Sequence, residues 1–409
     1  MRRMVMANLK GLRARAEDSL LFKMLAIVVR VGKIDQRLTV YKAFDGGISG
    51  NPRAIFEEVR RRSLDRKNVW VVQPEVARTA LEELGDVQLV HTRTWKYLRV
   101  LAKAALVVVD GDIGRAYKKK RGVTVVQTWH GTPLKRIGFD IATGVRNQKG
   151  MRQHLASLER EVPMWDFLLS QNSYSSAVLS GAFRYHGRVL ELGYPRNDVL
   201  NSSHVGEIRK GVRRRLRARE DEVLVLYAPT LRDDDDGDDS ALGSLGDLGV
   251  ARLAANLGAP CRVLVRLHPE RARRYDGADV PEGVVNVSHW PDINELYLAS
   301  EILVTDYSSV MFDFAITGKP IVLYVPDLEH YRDEVRGFYF DLVGEAPGPV
   351  VTSADDLVDA VRDVLDGRGQ GVGEAYEQFR GKFCALDDGS AGARVVDCVF
   401  GSEVCNAGG

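Results

Sequence analysis

Ile302-Leu303-Val304-Thr305-Asp306-Tyr307-Ser308-Ser309-Val310-Met311-Phe312-Asp313-Phe314 contains one repeating unit of the fold. Four apolar or β-branched residues form a strand, a short polar turn follows, and the apolar residues then continue at helical spacing. A strand that is apolar along its whole length is buried on both faces, which is the condition of a parallel sheet covered by helices. Working outward, the same unit recurs along the chain. Strands are expected at residues 39–43, 68–73, 87–91, 106–110, 123–128, 167–170 and 189–192, then at 223–227, 262–267, 284–287, 302–305 and 321–325. The polar, basic stretch at 201–219 separates the two series. The fold class is therefore α/β with two Rossmann-like domains, residues 38–205 and 206–409, preceded by a segment 1–37 of different character. A chain of 409 residues is too long for one ordinary core and suits two domains of this size.

Composition narrows the function. Hydrophobic residues at 45% and charged residues at 28% are those of a globular protein, and a net charge of +1 gives no general attraction to nucleic acid, so no nucleic-acid partner is expected. The cysteines Cys261, Cys384, Cys398 and Cys405 have no paired spacing, so neither a disulfide framework nor a metal site is read from them. No apolar run approaches the roughly 20 residues that span a bilayer, and no secretory signal is read at the start. Residues 1–37 carry nine Lys/Arg against Glu17, Asp18 and Asp35, a local excess of six positive charges. Leu9, Leu12, Ala16, Leu20, Met24 and Ile27 recur there at helical spacing. A basic amphipathic helix on an anionic membrane surface is one reading, giving a peripheral protein at the cytoplasmic face of the cell membrane; a helix packed on the domain is the other. The run Asp233 to Asp239 (DDDDGDD) reads as a solvated acidic loop.

In open parallel sheets, ligands collect beyond the C-terminal ends of the strands. Four strand exits carry chemistry. Val125-Val126-Gln127-Thr128-Trp129-His130-Gly131-Thr132-Pro133 delivers a histidine followed by a glycine that permits close approach; His130 is a candidate general base, or a capping histidine. Leu264-Val265-Arg266-Leu267-His268-Pro269 places a second histidine likewise. Tyr227-Ala228-Pro229-Thr230-Leu231-Arg232 ends on a guanidinium whose fork fits a diphosphate, or an ion pair with the neighbouring aspartates. In the opening stretch, Ser308 and Ser309 stand at a helix start, where unpaired N–H groups accept an anion or the serines simply cap the helix. Asp313, a turn later, is read as a ribose or glycerol contact or as a complement to the helix dipole. There is no Walker loop, no early GxGxxG, no GxSxG and no metal-ligand cluster. Two histidines, an arginine and a helix start drawn from two domains describe an expected cleft for transfer from a nucleotide-activated donor.

At these residues the sequence resembles the CDP-glycerol:poly(glycerophosphate) glycerophosphotransferase family, the polymerases and primases of teichoic acid and capsule polymers. The resemblance runs nearly the full length, through Gly50-Asn51-Pro52-Arg53-Ala54-Ile55, QTWHGTPLKRIGFD (127–140), WDFLLSQNSYSS (165–176), LGYPRND (192–198), YAPTLRDD, RLHP (266–269), TDYSSVMFDF, RGFYFDL (336–342) and APGPVV. It implies a GT-B fold and attack of an acceptor hydroxyl on the β-phosphorus of CDP-glycerol, with release of CMP. It also implies His130 as base, with His268 and Arg232 on the donor diphosphate. Gly131, Thr132, Pro229, Thr230, Thr305, Asp306, Ser308, Ser309 and Asp313 are carried over to the donor side, and Lys135, Arg196 and Asn197 to the acceptor side. Neither cofactor nor metal is implied. The implied partners are CDP-glycerol or CDP-ribitol, a lipid-linked polyol-phosphate or glycan acceptor, and the membrane surface. A CDP-ribitol ribitolphosphotransferase and a nucleotide-sugar glycosyltransferase or epimerase share the fold, and a silent membrane scaffold is the reading from another class.

Overall fold

The computed structural model describes residues 33–73, 87–92, 94–114, 117–141, 148–230, 249–258, 260–268, 272, 280–367 and 373–401. The expected helix in the N-terminal segment, the acidic run 233–239 and Arg232 lie outside these residues.

Among the described residues there are thirteen strands: β1 Asp35–Lys42, β2 Lys67–Val72, β3 Gln88–His91, β4 Ala104–Val109, β5 Thr124–Gln127, β6 Phe167–Ser170, β7 Arg188–Glu191, β8 Val223–Tyr227, β9 Cys261–Val265, β10 Val284–Asn286, β11 Ile302–Thr305, β12 Ile321–Tyr324 and β13 Val350–Val351. The first sheet has the order β3-β2-β1-β4-β5-β6-β7 and the second β10-β9-β8-β11-β12-β13. The registered strand pairs are parallel, as in β1 with β4 and β8 with β11. Both orders are doubly wound, with the winding reversing between β1 and β4 in one sheet and between β8 and β11 in the other. Those two reversal points are where such sheets open a crevice at their C-terminal ends. β13, two residues within the APGPVV motif, is a strand beyond those expected from the sequence.

The sequence dictates why these strands sit inside. Every residue of β4, AALVVV, is buried. In β8, Leu224 and Leu226 enter one apolar cluster and Val225 and Tyr227 another, so the two-residue period divides the strand between both faces of its sheet. Each fully buried Val, Leu or Phe contributes about 1.5–3 kcal/mol relative to exposure.

Two compact units form, and their limits depart from the expected boundary at 205/206. The first is Met1–His130 with Glu159–Leu169, and the second is Gly131–Leu158 with Ser170–Gly409. The chain passes from one unit to the other between His130 and Gly131, inside a single motif. Among the described residues no helix is long and apolar enough to cross a membrane, and no group of His, Cys, Asp and Glu is arranged to hold a metal.

Candidate functional site

In the first unit the site grows from the exits of β1, β4 and β5. His130 Nδ1 lies 2.6 Å from the main-chain oxygen of Asp110, just beyond β4. A carbonyl only accepts, so Nδ1 carries the hydrogen and Nε2 is left with its lone pair, which fixes the tautomer a general base needs. The ring is stacked between Phe44 at 4.9 Å and Trp129 at 4.3 Å between centroids. Phe44 is itself positioned by its N–H, which donates to Asp110 Oδ1. Trp129 has φ 50°, a left-handed conformation costing a bulky residue about 1–3 kcal/mol that its surroundings must offset. Hydrogen bonds to this turn hold it. Gln127 Oε1 accepts the Trp129 N–H at 3.0 Å, and Asn51 Nδ2 donates to the carbonyls of Thr128 and Trp129, both at 3.1 Å. Asn51 is fully buried at the start of the Gly50–Arg61 helix. It is how the GNPR motif supports the histidine turn some 77 residues later in the chain.

In the second unit the residues after His130 turn inward. Gly131 is buried, and a Cβ built on it would lie 2.6 Å from Ser309 Oγ and 2.9 Å from Ser309 Cβ. Only glycine lets that backbone approach the serine turn so closely. Ser309 makes no side-chain cap bond to its helix, Val310–Ala315, so the expectation that it caps is corrected; Ser308 Oγ accepts only a long 3.5 Å bond from the Val310 N–H. Thr132 is 1% exposed, and its hydroxyl donates to Gln171 Oε1. Thr305 is fully buried and donates to the carbonyl of Ala228 at 2.7 Å. Both hydroxyls tie strand exits together. Asp306 accepts the Thr230 N–H at 2.8 Å, which joins the exits of β8 and β11 across the reversal point. Pro229 is half-buried between them.

Arg196, Asn197 and Asp313 are brought together. Arg196 Nη2 donates to Asp313 Oδ2 at 2.7 Å, and Asn197 Nδ2 to Asp313 Oδ1 at 2.9 Å. Asp313 is 5% exposed. Asn197 also lies 3.3 Å from Asp387 Oδ1, and Asp387 further accepts from Gln171 Nε2 at 2.7 Å and from the Tyr194 N–H at 3.0 Å. Burial pushes the Asp387 carboxyl up to about 7; the bonds from Gln171 and Tyr194 oppose the rise, the Asp313 charge adds to it, and the Asn197 bond opposes it. Hydrogen bonds thus run from Thr132 through Gln171 to Asp387. Lys135 forms an isolated antiparallel bridge with Phe338. Around it the motifs of residues 127–140 and 336–342 pair: Arg136 N–H donates to the Gly337 carbonyl, Tyr339 N–H to the Leu134 carbonyl, and Tyr339 Oη to Asp140 Oδ2 at 2.8 Å. His268 follows β9, half-buried, with its carbonyl accepting from the Ala272 N–H at 2.8 Å.

The profile of the CDP-glycerol:poly(glycerophosphate) glycerophosphotransferase family matches residues 22–401. The chain belongs to this family. Among glycerophosphotransferase relatives, the teichoic acid poly(glycerol phosphate) polymerase of Bacillus subtilis strain 168 is 33% identical over 93% of this chain, which spans about half of that relative, 51%. The teichoic acid glycerol-phosphate transferase of Staphylococcus aureus strain NCTC 8325 is 33% identical, covering 90% of this chain and 93% of its own length. A solved variant of the wall teichoic acid polymerase TagF, soaked with CDPG, superposes with a TM-score of 0.82 at 28% identity, over 97% of this chain and 96% of that one.

Sequence reasoning missed Phe44, Asn51, Asp110, Gln171 and Asp387. Asn51 sits in the GNPR motif, which by itself announces no role for it. The others act through contacts between distant segments that no local pattern reveals.

Proposed function

We propose that this glycerophosphotransferase moves glycerol phosphate from CDP-glycerol to a hydroxyl of a membrane-lipid-linked polyol-phosphate or glycan acceptor, releasing CMP, in the manner of a GT-B enzyme of teichoic acid or capsule polymer synthesis. The observation that carries the reading is the fixed His130 tautomer. Nε2 takes the proton of the acceptor hydroxyl as its oxygen bonds to the β-phosphorus. The bond from that phosphorus to the bridging oxygen breaks, and CMP leaves with the electron pair. The proton gained makes the ring an imidazolium that still donates from Nδ1 to the Asp110 carbonyl, so no reorientation is required. Ser308 and Ser309, beside Gly131, offer the donor diphosphate hydroxyl and backbone donors; His268 and Arg232 are its further contacts by family resemblance. The basic residues of the N-terminal segment would hold the enzyme at the cytoplasmic face of the membrane.

The test is CMP release from CDP-glycerol and, separately, CDP-ribitol, with a soluble lipid-linked primer analogue. Release from one donor, reduced at least about a hundredfold in His130→Ala, is expected from loss of a general base. Absence of release from both would overturn the reading, and near-normal turnover in His130→Ala would remove that residue from the mechanism.

A further inference from the structure

The first unit contains a cavity of about 520 Å³ that the reaction above does not use. Lys118, Lys119, Lys120, Arg121 and Arg160 line it, and four of these are consecutive in the sequence. Its place in the fold is opposite to His130. Residues 117–121 lead into the start of β5, Lys120 Nζ reaches the Ala102 carbonyl ahead of β4 at 3.3 Å, and Arg160 precedes β6. The cavity therefore lies at the N-terminal edge of the sheet, whereas His130 stands past the C-terminal edge. The four residues of β5 alone separate the edges by about 13 Å at ~3.3 Å per residue.

Two observations mark it as a site rather than a solvated basic surface. The first is charge in a concavity: Lys119 is paired with Asp166, yet five cations share the walls. The second is Tyr117, which also lines the cavity. It is 5% exposed, and its hydroxyl is buried with no hydrogen-bond partner among the described residues. Such a group costs about 1–3 kcal/mol when left unmatched, and a ligand oxygen would satisfy it. Burial pushes the Tyr117 phenol up, so it is a neutral donor.

We propose that this pocket is an exosite for phosphodiester groups of the acceptor chain; this rests on the functional reading above. A phosphodiester keeps its single negative charge at every physiological pH and accepts from both ammonium and guanidinium donors. Pro163 and Met164 complete the lining and offer apolar contact to the carbons between phosphates. Nucleic acid fits less well, because the lining has no exposed ring on which a base could stack. A membrane surface fits less well too: the exposed large apolar side chains Phe44, Trp95, Val280 and Val343 are not in the lining, so nothing there would insert among lipids. Because the pocket and His130 lie at opposite edges of the sheet, only an acceptor of several repeats reaches both.

The full-length protein is compared with Lys118→Ala/Arg121→Ala, two exposed positions, and with Tyr117→Phe, which removes one oxygen. Binding of a soluble oligo(glycerol phosphate) is measured by calorimetry across salt concentrations. The double variant is expected to bind at least tenfold more weakly, and its slope of log K against log salt should shrink by roughly 0.7 for each phosphate no longer neutralised. Tyr117→Phe should weaken binding by a smaller factor. CMP release with a single glycerol phosphate as acceptor should be unchanged in both. Unchanged oligomer affinity in the double variant would overturn the proposal. So would an equal loss of binding to phosphatidylglycerol vesicles or to single-stranded RNA, which would make the pocket a general anion patch. If the unmodified protein releases no CMP, the functional reading fails, while the calorimetry still decides whether the pocket binds this chemistry.

Discussion

Two strand exits, one in each sheet, hold their polar groups by different means. At the end of β5, His130 is oriented by a main-chain carbonyl, two aromatic faces and the amides of Asn51 and Gln127. None of these supports titrates near neutral pH. At the end of β11 the support is ionic, with Arg196, Asp313 and Asp387 linked through Asn197. The first arrangement fixes the tautomer of the neutral base through groups that carry no charge. The second makes the turn around Ser308 and Ser309 depend on buried charges, and so on their partners being present.

The largest effect should come from breaking the ion pair. Arg196→Ala leaves Asp313 buried and without its cation, and loss of one partner of a buried pair costs about 3–5 kcal/mol. Chemical denaturation should show a loss of that size. A change below about 1 kcal/mol, as for a surface pair, would erase the contrast between the two exits. Gly131→Ala is next. Its methyl would overlap Ser309, and overpacking of this kind costs about 1–3 kcal/mol; CMP release should fall, and Gly131→Ala/Ser309→Gly should recover part of both activity and stability. Failure of the double variant to recover either would mean that the close approach is not what requires glycine.

The third effect is one of slope. Asp387 has a folded pKa of about 7, above the ordinary carboxylate value of about 4. Its contribution to stability is therefore fully present below about pH 4 and is lost as pH rises through about 7. Measured between those limits, the unmodified protein should lose stability relative to Asp387→Asn as pH rises. Parallel curves for the two proteins would show that the carboxyl does not titrate there.

The sheet strands were legible in the sequence because each is a short apolar run bounded by polar turns. β13 was not, since two residues carry no period. The strand exits were legible for the same reason as the strands: a histidine or serine directly after an apolar run has few other places to be. What surrounds them was not. Asp387 lies 216 residues from Gln171, and nothing within either segment announces the other. Asp313 follows Ser309 by four residues, yet the bonds to its carboxylate come from residues 196 and 197.

The pairing of residues 336–342 with the segment after His130 also has a consequence in time. Arg336 and the Arg136 carbonyl that it contacts are 200 residues apart. At a synthesis rate of ~5–20 residues per second, about 10–40 s separate their emergence from the ribosome. For that interval the loop from Leu134 to Asp140 is made but lacks the strand-like partner that later fixes it, so the nascent chain exposes this loop well before it can close it.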